Sequence, residues 1–110
     1  MLDEIHIIEK LASIVEDIKH GLDPDVLAYW YDVIESEAKA LCPEELKSTI
    51  SVRRDPIITL KFELRSSIRA VPFIIEAIEN NLPSMPFATR LYFQKLEEII
   101  KEEAKKLRKP

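Results

Sequence analysis

The chain has 110 residues and a net charge of −4, from 20 acidic and 16 basic side chains. Hydrophobic residues make up 46% and charged residues 33%, which excludes a disordered chain, and the length predicts one domain spanning 1–110. No apolar run approaches the roughly 20 residues that cross a bilayer. Because the first residues are acidic where a secretory leader would be basic, we expect a cytoplasmic protein.

Cysteine and glycine are almost absent. The single cysteine, Cys42, forms neither an internal disulfide nor a cysteine-based zinc site. The single glycine, Gly21, disfavours all-β and nucleotide-binding folds, because hairpin turns and phosphate-binding loops need glycine at positive φ. Abundant Glu, Lys and Ile with one glutamine resemble the composition of thermophile proteins. The composition therefore predicts a helix-rich protein.

Residues 3–20 show the clearest helical pattern. Apolar side chains recur there every three or four residues, and Gly21 follows where a helix C-cap glycine would stand. A second helix is predicted over 24–41, because Asp23 can cap its first turn and Pro24 suits the first helical position. About three residues separate the two helices, which predicts an antiparallel helical hairpin. The apolar face of the second helix comprises Leu27, Trp30, Tyr31, Ile34, Ala38 and Leu41.

Residues 50–70 allow two interpretations. Apolar residues recur every three or four positions, which predicts a long helix that is kinked at Pro72. Over 58–64, however, apolar and polar residues alternate as in a strand, and a β-hairpin near 50–64 would make the fold α+β. The lack of glycine in the supposed turn favours the helix.

Prolines divide the remaining chain into helical segments. Pro43, followed by two acids, predicts a short helix to about Thr49. Pro83 and Pro86 mark a break, after which a last helix is predicted over 84–108. The predicted fold class is therefore an all-α antiparallel bundle of four to five helices. The apolar stripe of the last helix comprises Phe87, Leu91, Leu96, Ile99, Ile100 and Leu107.

Charge is divided unevenly along the chain. Residues 1–45 carry 12 acidic and three basic residues, a net of −9, whereas 46–110 carry eight acidic and 13 basic residues, a net of +5. On a helix, Lys61, Arg65 and Arg69 would form one cationic stripe. Such a stripe suits phosphates of a nucleic acid, or pairing with the acidic half of this chain or of another subunit. The candidate residues for contact with phosphate or an acidic partner are Arg53, Arg54, Lys61, Arg65 and Arg69.

Apolar residues outside the predicted stripes are a second informative feature. Tyr29 points away from the core stripe, which indicates either contact with a partner or incidental exposure. Eight other residues indicate either a subunit contact or core faces wider than the stripes. These are Val26, Val33, Ile50, Val52, Ile58, Phe62, Phe73 and Ile74.

No motif points to catalysis or to a metal. His6 and His20 lie 14 residues apart, whereas two zinc ligands on one helix are expected four apart. Neighbouring carboxylates such as Glu97 and Glu98 do not face each other on a helix, and no Glu-x-x-His motif is present. We therefore predict no enzymatic activity, no catalytic residues, no metal, no cofactor and no small-molecule substrate.

These patterns together predict a non-enzymatic protein–protein interaction module. It would be a small subunit or adaptor of a larger assembly, binding a protein partner or a second copy of itself. The alternative is an accessory nucleic-acid-binding helical bundle that contacts phosphates through its basic stretch at 53–69. Neither function involves a membrane.

Overall fold

All regular secondary structure in the described part of the chain is helical. The computed structural model describes residues 4–50 and 68–108. No strand occurs within these ranges, and the predicted all-α bundle is confirmed. The α-helices are α1 (Glu4–His20), α2 (Pro24–Leu41), α3 (Val71–Asn81) and α4 (Phe87–Arg108). Short 3-10 helices occupy Glu44–Thr49, Ile68–Ala70 and Leu82–Ser84.

Two of the expectations for the middle of the chain concern residues outside the described ranges. These are the β-hairpin near 50–64 and the helix over the same segment. The short helix predicted after Pro43 is confirmed as the 3-10 helix that ends at Thr49. Within the two described ranges, no helix has both the length and the apolar character needed to span a bilayer.

The N-terminus of α2 is set by local sequence, as predicted. The Asp23 carboxylate accepts a hydrogen bond of 2.8 Å from the backbone N–H of Asp25. Pro24 occupies the first turn, where a backbone N–H has no partner within the helix. The sequence Asp23-Pro24 therefore begins the helix without help from tertiary contacts.

Replacing Asp23 with alanine is expected to lower the free energy of unfolding by about 1 kcal/mol, because an N–H of the first turn loses its acceptor. Urea denaturation measures the change. Asp32→Ala, at an exposed position inside the same helix, is the matched control and should stay within about 0.5 kcal/mol of the parent. Equal losses in both variants would argue against a capping role.

Gly21 ends α1 in a different way from the one predicted. A C-cap glycine adopts positive φ, but no glycine in the described chain does so. Instead, the N–H groups of Gly21 and Leu22 donate to the carbonyls of Ile18 and Lys19, each at 3.0 Å. Such bonds span three residues and close the helix as a 3-10 turn, which does not need glycine.

Gly21→Ala is therefore expected to raise the free energy of unfolding by about 0.4–1 kcal/mol, because alanine has less conformational freedom to lose on folding. An added Cβ would meet the Ile18 carbonyl oxygen at 3.5 Å, an ordinary van der Waals distance. Thermal denaturation followed by circular dichroism tests this expectation. A lower melting temperature would mean that the turn does require glycine.

The first two helices pack mainly on helices from the second half of the chain. α1 packs on α4, α2 packs on α3, and α3 also contacts α4. The turn between α1 and α2 is short, yet neither helix is the other's main partner, as a helical hairpin would imply. The buried face of α4 explains the arrangement, because it is broad enough to serve two neighbours. It comprises Tyr92, Phe93, Leu96, Ile99, Ile100 and Ala104.

Prolines begin α3 and precede α4 instead of bending them. Pro72 lies in the first turn of α3, which begins at Val71, so the predicted kink within a long helix is wrong. α4 begins at Phe87, three residues later than expected. The chain before it forms a separate 3-10 turn, and the Arg90 guanidinium donates to the carbonyls of Leu82 and Met85, both at 3.1 Å.

A cluster of three rings joins α2 to α4 in the core. The Tyr31 ring meets Tyr92 and Phe93 edge-on, with centroids 6.2 and 5.5 Å apart, and the two tyrosine hydroxyls form a hydrogen bond. None of the three side chains is more than 2% exposed. Edge-on packing is the favoured geometry for aromatic pairs, and a buried phenol needs a polar partner.

The core is wider than the predicted stripes in some places and narrower in others. Ile50 and Ile74, which lie off the stripes, are buried. Leu41 and Phe87, which were expected in the stripes, are 39% and 76% exposed. Leu41 is the last residue of α2, and Phe87 lies nine residues before Leu96, which places it on the opposite side of α4. Val33 and Phe73 are half-buried. Three other off-stripe residues, Val52, Ile58 and Phe62, lie outside the described ranges.

Candidate interaction surface

α2 has apolar residues on two sides. One side, which includes Tyr31, Ile34 and Ala38, fills the core. On another side Val26 is 37% exposed, Tyr29 is 59% exposed, and Val33 is half-buried. Residues spaced by three, four or seven positions lie on one helix face, so these side chains form a continuous strip. The α2 outer face, as we call it, comprises Tyr29, Asp32, Val33, Ser36 and Glu37.

The Tyr29 ring is supported by its neighbour. It meets the Trp30 ring edge-on, with centroids 5.1 Å apart and planes at 83°. Trp30 is itself partly buried against the core, so it provides a fixed base for the tyrosine. Tyr29 is thus exposed, as its position off the core stripe predicts, while its contact with a partner remains a prediction.

The α2 outer face lines a shallow depression of about 500 Å³. Tyr29 and Val33 form its apolar part, and the carboxylates of Asp32 and Glu37 lie on either side of it. Both oxygens of Glu37 accept hydrogen bonds from side chains at the end of α3: the amide of Asn80 at 3.0 Å and that of Asn81 at 3.2 Å. These bonds hold Glu37 in place, while Asp32 is exposed and has no cation nearby among the described residues.

Most of the described cations that follow α2 in the chain, and Lys39 within it, are paired with carboxylates. From Lys39 onward, every lysine or arginine with a described side chain, except Arg90, has a carboxylate within 4.0 Å. Their partners lie one turn away on the same helix or on a neighbouring element. The cations are Lys39, Lys47, Arg69, Lys95, Lys101 and Lys105. None of these cations pairs with Asp32 or Glu37 of the α2 outer face.

Arg69 is the one member of the predicted basic stretch that the structure describes. Its guanidinium lies 4.0 Å from the carboxylate of Glu45, and both side chains are about 70% exposed, at 71% and 68%. Such an exposed pair contributes little to stability. The other four residues, Arg53, Arg54, Lys61 and Arg65, lie outside the described ranges, so contact with phosphate or an acidic partner remains a prediction.

A second groove, of about 540 Å³, lies between α3 and α4. Its floor is apolar and includes Val71 and Ile75. On its rim Lys101 lies 3.9 Å from Glu79 and 3.6 Å from Glu97, and Lys105 lies 3.5 Å from Glu102, while Glu76 is exposed. Because charges of both signs line the rim, the groove shows no preference for a particular ligand.

Burial raises the pKa of Glu97 beside this groove. Loss of hydration is the largest cause, the nearby Glu79 carboxylate adds to it, and Lys101 opposes it. One Glu97 oxygen is buried without a hydrogen-bond partner. In the sequence Glu97 is one of two neighbouring carboxylates that do not face each other on a helix, and nothing in that pattern predicts its burial. Its burial follows from the packing of α3 on α4, which the order of residues along α4 does not reveal.

Glu97→Gln is expected to gain stability relative to the parent as pH rises from acidic to neutral. A carboxyl whose pKa is raised in the fold loses stability as pH rises from its unfolded-state pKa to its folded-state pKa, and the loss is constant above that, whereas glutamine is neutral throughout. Melting temperatures measured across this range test the trend. A flat difference for Glu97→Gln would contradict a raised pKa.

The described residues provide no recognisable centre for metal binding. Within that part of the chain, no three His, Cys, Asp or Glu side chains lie close enough together to hold an ion. Cys42 is buried, with its thiol 3.5 Å from the carbonyl of Lys39. The α2 outer face is therefore the strongest candidate for a functional surface.

The fold and this surface define a small all-α protein that presents a mixed aromatic and acidic face. Searches for similar proteins do not extend this description: no family model, no curated protein and no solved structure matches the chain.

Proposed function

We propose that this chain is a non-enzymatic protein–protein interaction module, a small subunit or adaptor of a larger assembly. The strongest support comes from Tyr29, which leaves 59% of its surface in water beside Val26 and Val33. Single exposed apolar residues are common, but a continuous strip with an aromatic anchor is typical of interfaces. Tyrosine is also among the residues that contribute most to binding energy at interfaces.

The position of the strip supports the same function. Its side chains come from the middle of α2, whose opposite side is anchored in the core and whose Glu37 is bonded to α3. A rigid surface loses little conformational entropy when a partner binds. Tyr29 resting on Trp30 has this property, because its ring is supported before any partner arrives.

Reconstitution with a purified partner tests this function. Proteins cross-linked to the chain in its source cells would be identified, produced separately and titrated by calorimetry. Tyr29→Ala should weaken the complex by about tenfold or more. Phe87→Ala, which removes an aromatic ring that is 76% exposed on α4, is the control and should bind as the parent does. A chain that stays monomeric and binds no purified candidate would refute the proposal.

The alternative function, phosphate contact by an accessory nucleic-acid-binding bundle, draws support from Arg69. Its guanidinium is exposed and held by a single loose contact with Glu45, which a phosphate would readily replace. Anisotropy titrations with labelled single-stranded and duplex RNA and DNA should then show binding that weakens steeply with salt. Replacing Arg65 and Arg69 with alanine should weaken binding and flatten its salt dependence. Unchanged binding in the double variant would eliminate this alternative.

A further inference from the structure

We propose that the α2 outer face binds an arginine side chain from a basic segment of another protein. This inference rests on the proposed function and specifies the chemistry of the partner. An arginine has three parts that need separate partners: an aliphatic stem, a flat guanidinium face and a ring of N–H donors. The α2 outer face has a matching group for each.

The apolar part of the face suits the stem and the plane of the guanidinium. Val33 is half-buried and offers an aliphatic surface one turn from Tyr29. The Tyr29 ring is exposed and kept in position by Trp30. Guanidinium groups stack on tyrosine rings through cation–π attraction, which is strongest where water is partly excluded.

The polar part of the face suits the N–H donors. Asp32 and Glu37 lie on either side of the apolar part, and Ser36 between them adds a hydroxyl acceptor. The Asn80 and Asn81 amides use one lone pair on each Glu37 oxygen, so that carboxylate can still accept further bonds. Two carboxylates across a tyrosine ring give a guanidinium charge-assisted bonds on both edges.

Charge complementarity favours a basic segment as the partner of the α2 outer face. From Lys39 to Lys105, the described cations of this chain, Arg90 aside, already have carboxylates within 4.0 Å. Arg90 is engaged by two backbone carbonyls. Residues 1–45, which include α2, carry a net charge of −9, so the field around this helix attracts a basic partner.

A peptide titration tests the proposal without knowledge of the natural partner. The probe is a fluorescein-labelled helical peptide of alanine, leucine and arginine, and its binding is followed by anisotropy. The first control peptide has citrulline, the uncharged analogue, in place of arginine; the second has lysine. We expect binding of the arginine peptide, about tenfold weaker binding with citrulline, and an intermediate result with lysine. Equal binding of the arginine and citrulline peptides would overturn the proposal.

Substitutions then locate the binding site. Tyr29→Leu and Asp32→Asn should each weaken arginine-peptide binding several-fold, whereas Tyr29→Phe should retain it because the aromatic face remains. Glu76→Gln removes the same charge from the exposed rim of the α3–α4 groove and should bind as the parent does. Equal weakening by Asp32→Asn and Glu76→Gln would reduce the effect to net charge and overturn the site. Circular dichroism melts confirm that each variant is folded.

The outcomes separate this inference from the proposed function. If a purified natural partner binds the chain but Tyr29→Leu and Asp32→Asn leave its affinity unchanged, the arginine site is wrong and the interaction module stands. If the chain binds no protein partner, the proposed function fails whatever the peptide does.

Discussion

Phe93→Ala is expected to lower the free energy of unfolding by about 3–5 kcal/mol, the largest loss of any substitution considered for this protein. The Phe93 side chain has no exposed surface and meets Tyr31 at 5.5 Å and Tyr92 at 5.1 Å between ring centroids. Truncation removes buried apolar surface, leaves a cavity among α2 and α4 residues, and ends two edge-on ring contacts. The free energy of unfolding of a small domain is only about 5–15 kcal/mol in total, so this substitution removes a large fraction of it.

Urea denaturation of the parent, Phe93→Ala and Phe93→Leu measures the effect, and the leucine variant keeps the comparison possible if the alanine variant does not fold. Phe87→Ala is the matched control, because it makes the same chemical change on the same helix at a position that is 76% exposed. Its stability should change by less than about 0.5 kcal/mol. Similar losses at the two positions would mean that the aromatic cluster is not the centre of the core.

Ala77→Leu is expected to lower the free energy of unfolding by about 1–3 kcal/mol through overpacking. Ala77 has no exposed surface. It lies one helical turn before Asn81, whose amide bonds Glu37 of α2, so it faces the contact between α2 and α3. Glu37 accepts a hydrogen bond from Asn80 at the end of α3, whereas Glu45, further along the chain, lies near Arg69, which precedes α3. The segment 37–45 therefore runs antiparallel to the segment 69–80. Three extra carbon atoms at this contact would push the helices apart.

Ala88→Leu provides the control for the alanine substitution. Ala88 is exposed in the first turn of α4, so the larger side chain has room and should leave stability within about 0.5 kcal/mol of the parent. Chemical denaturation of both variants tests the contrast. If Ala77→Leu were as stable as the parent, the contact between α2 and α3 would contain unfilled space.

Local signals in the sequence determined where α2 begins and which of its sides is buried. The bond from Asp23 to the N–H of Asp25 involves residues two apart, so nothing distant affects it. Leu27, Tyr31, Ile34 and Ala38 repeat with the helical period and are all buried. The exposure of Tyr29 follows from the same periodicity, and the aromatic part of the candidate surface was therefore predictable.

The tertiary structure alone decided how the helices pair and which carboxylates are buried or hydrogen-bonded to distant residues. Helical periodicity states that a face is buried but not against what, so the pairing of α1 with α4 and of α2 with α3 was not predicted. Glu37 is bonded to residues 43 and 44 positions away, and Glu97 is buried by a helix that precedes it. The sequence by itself thus determined α2, its buried side and its exposed tyrosine, because these depend on residues near one another in the chain. Contacts between distant residues decided the packing of the helices and the hydrogen bonds that hold Glu37 near that tyrosine.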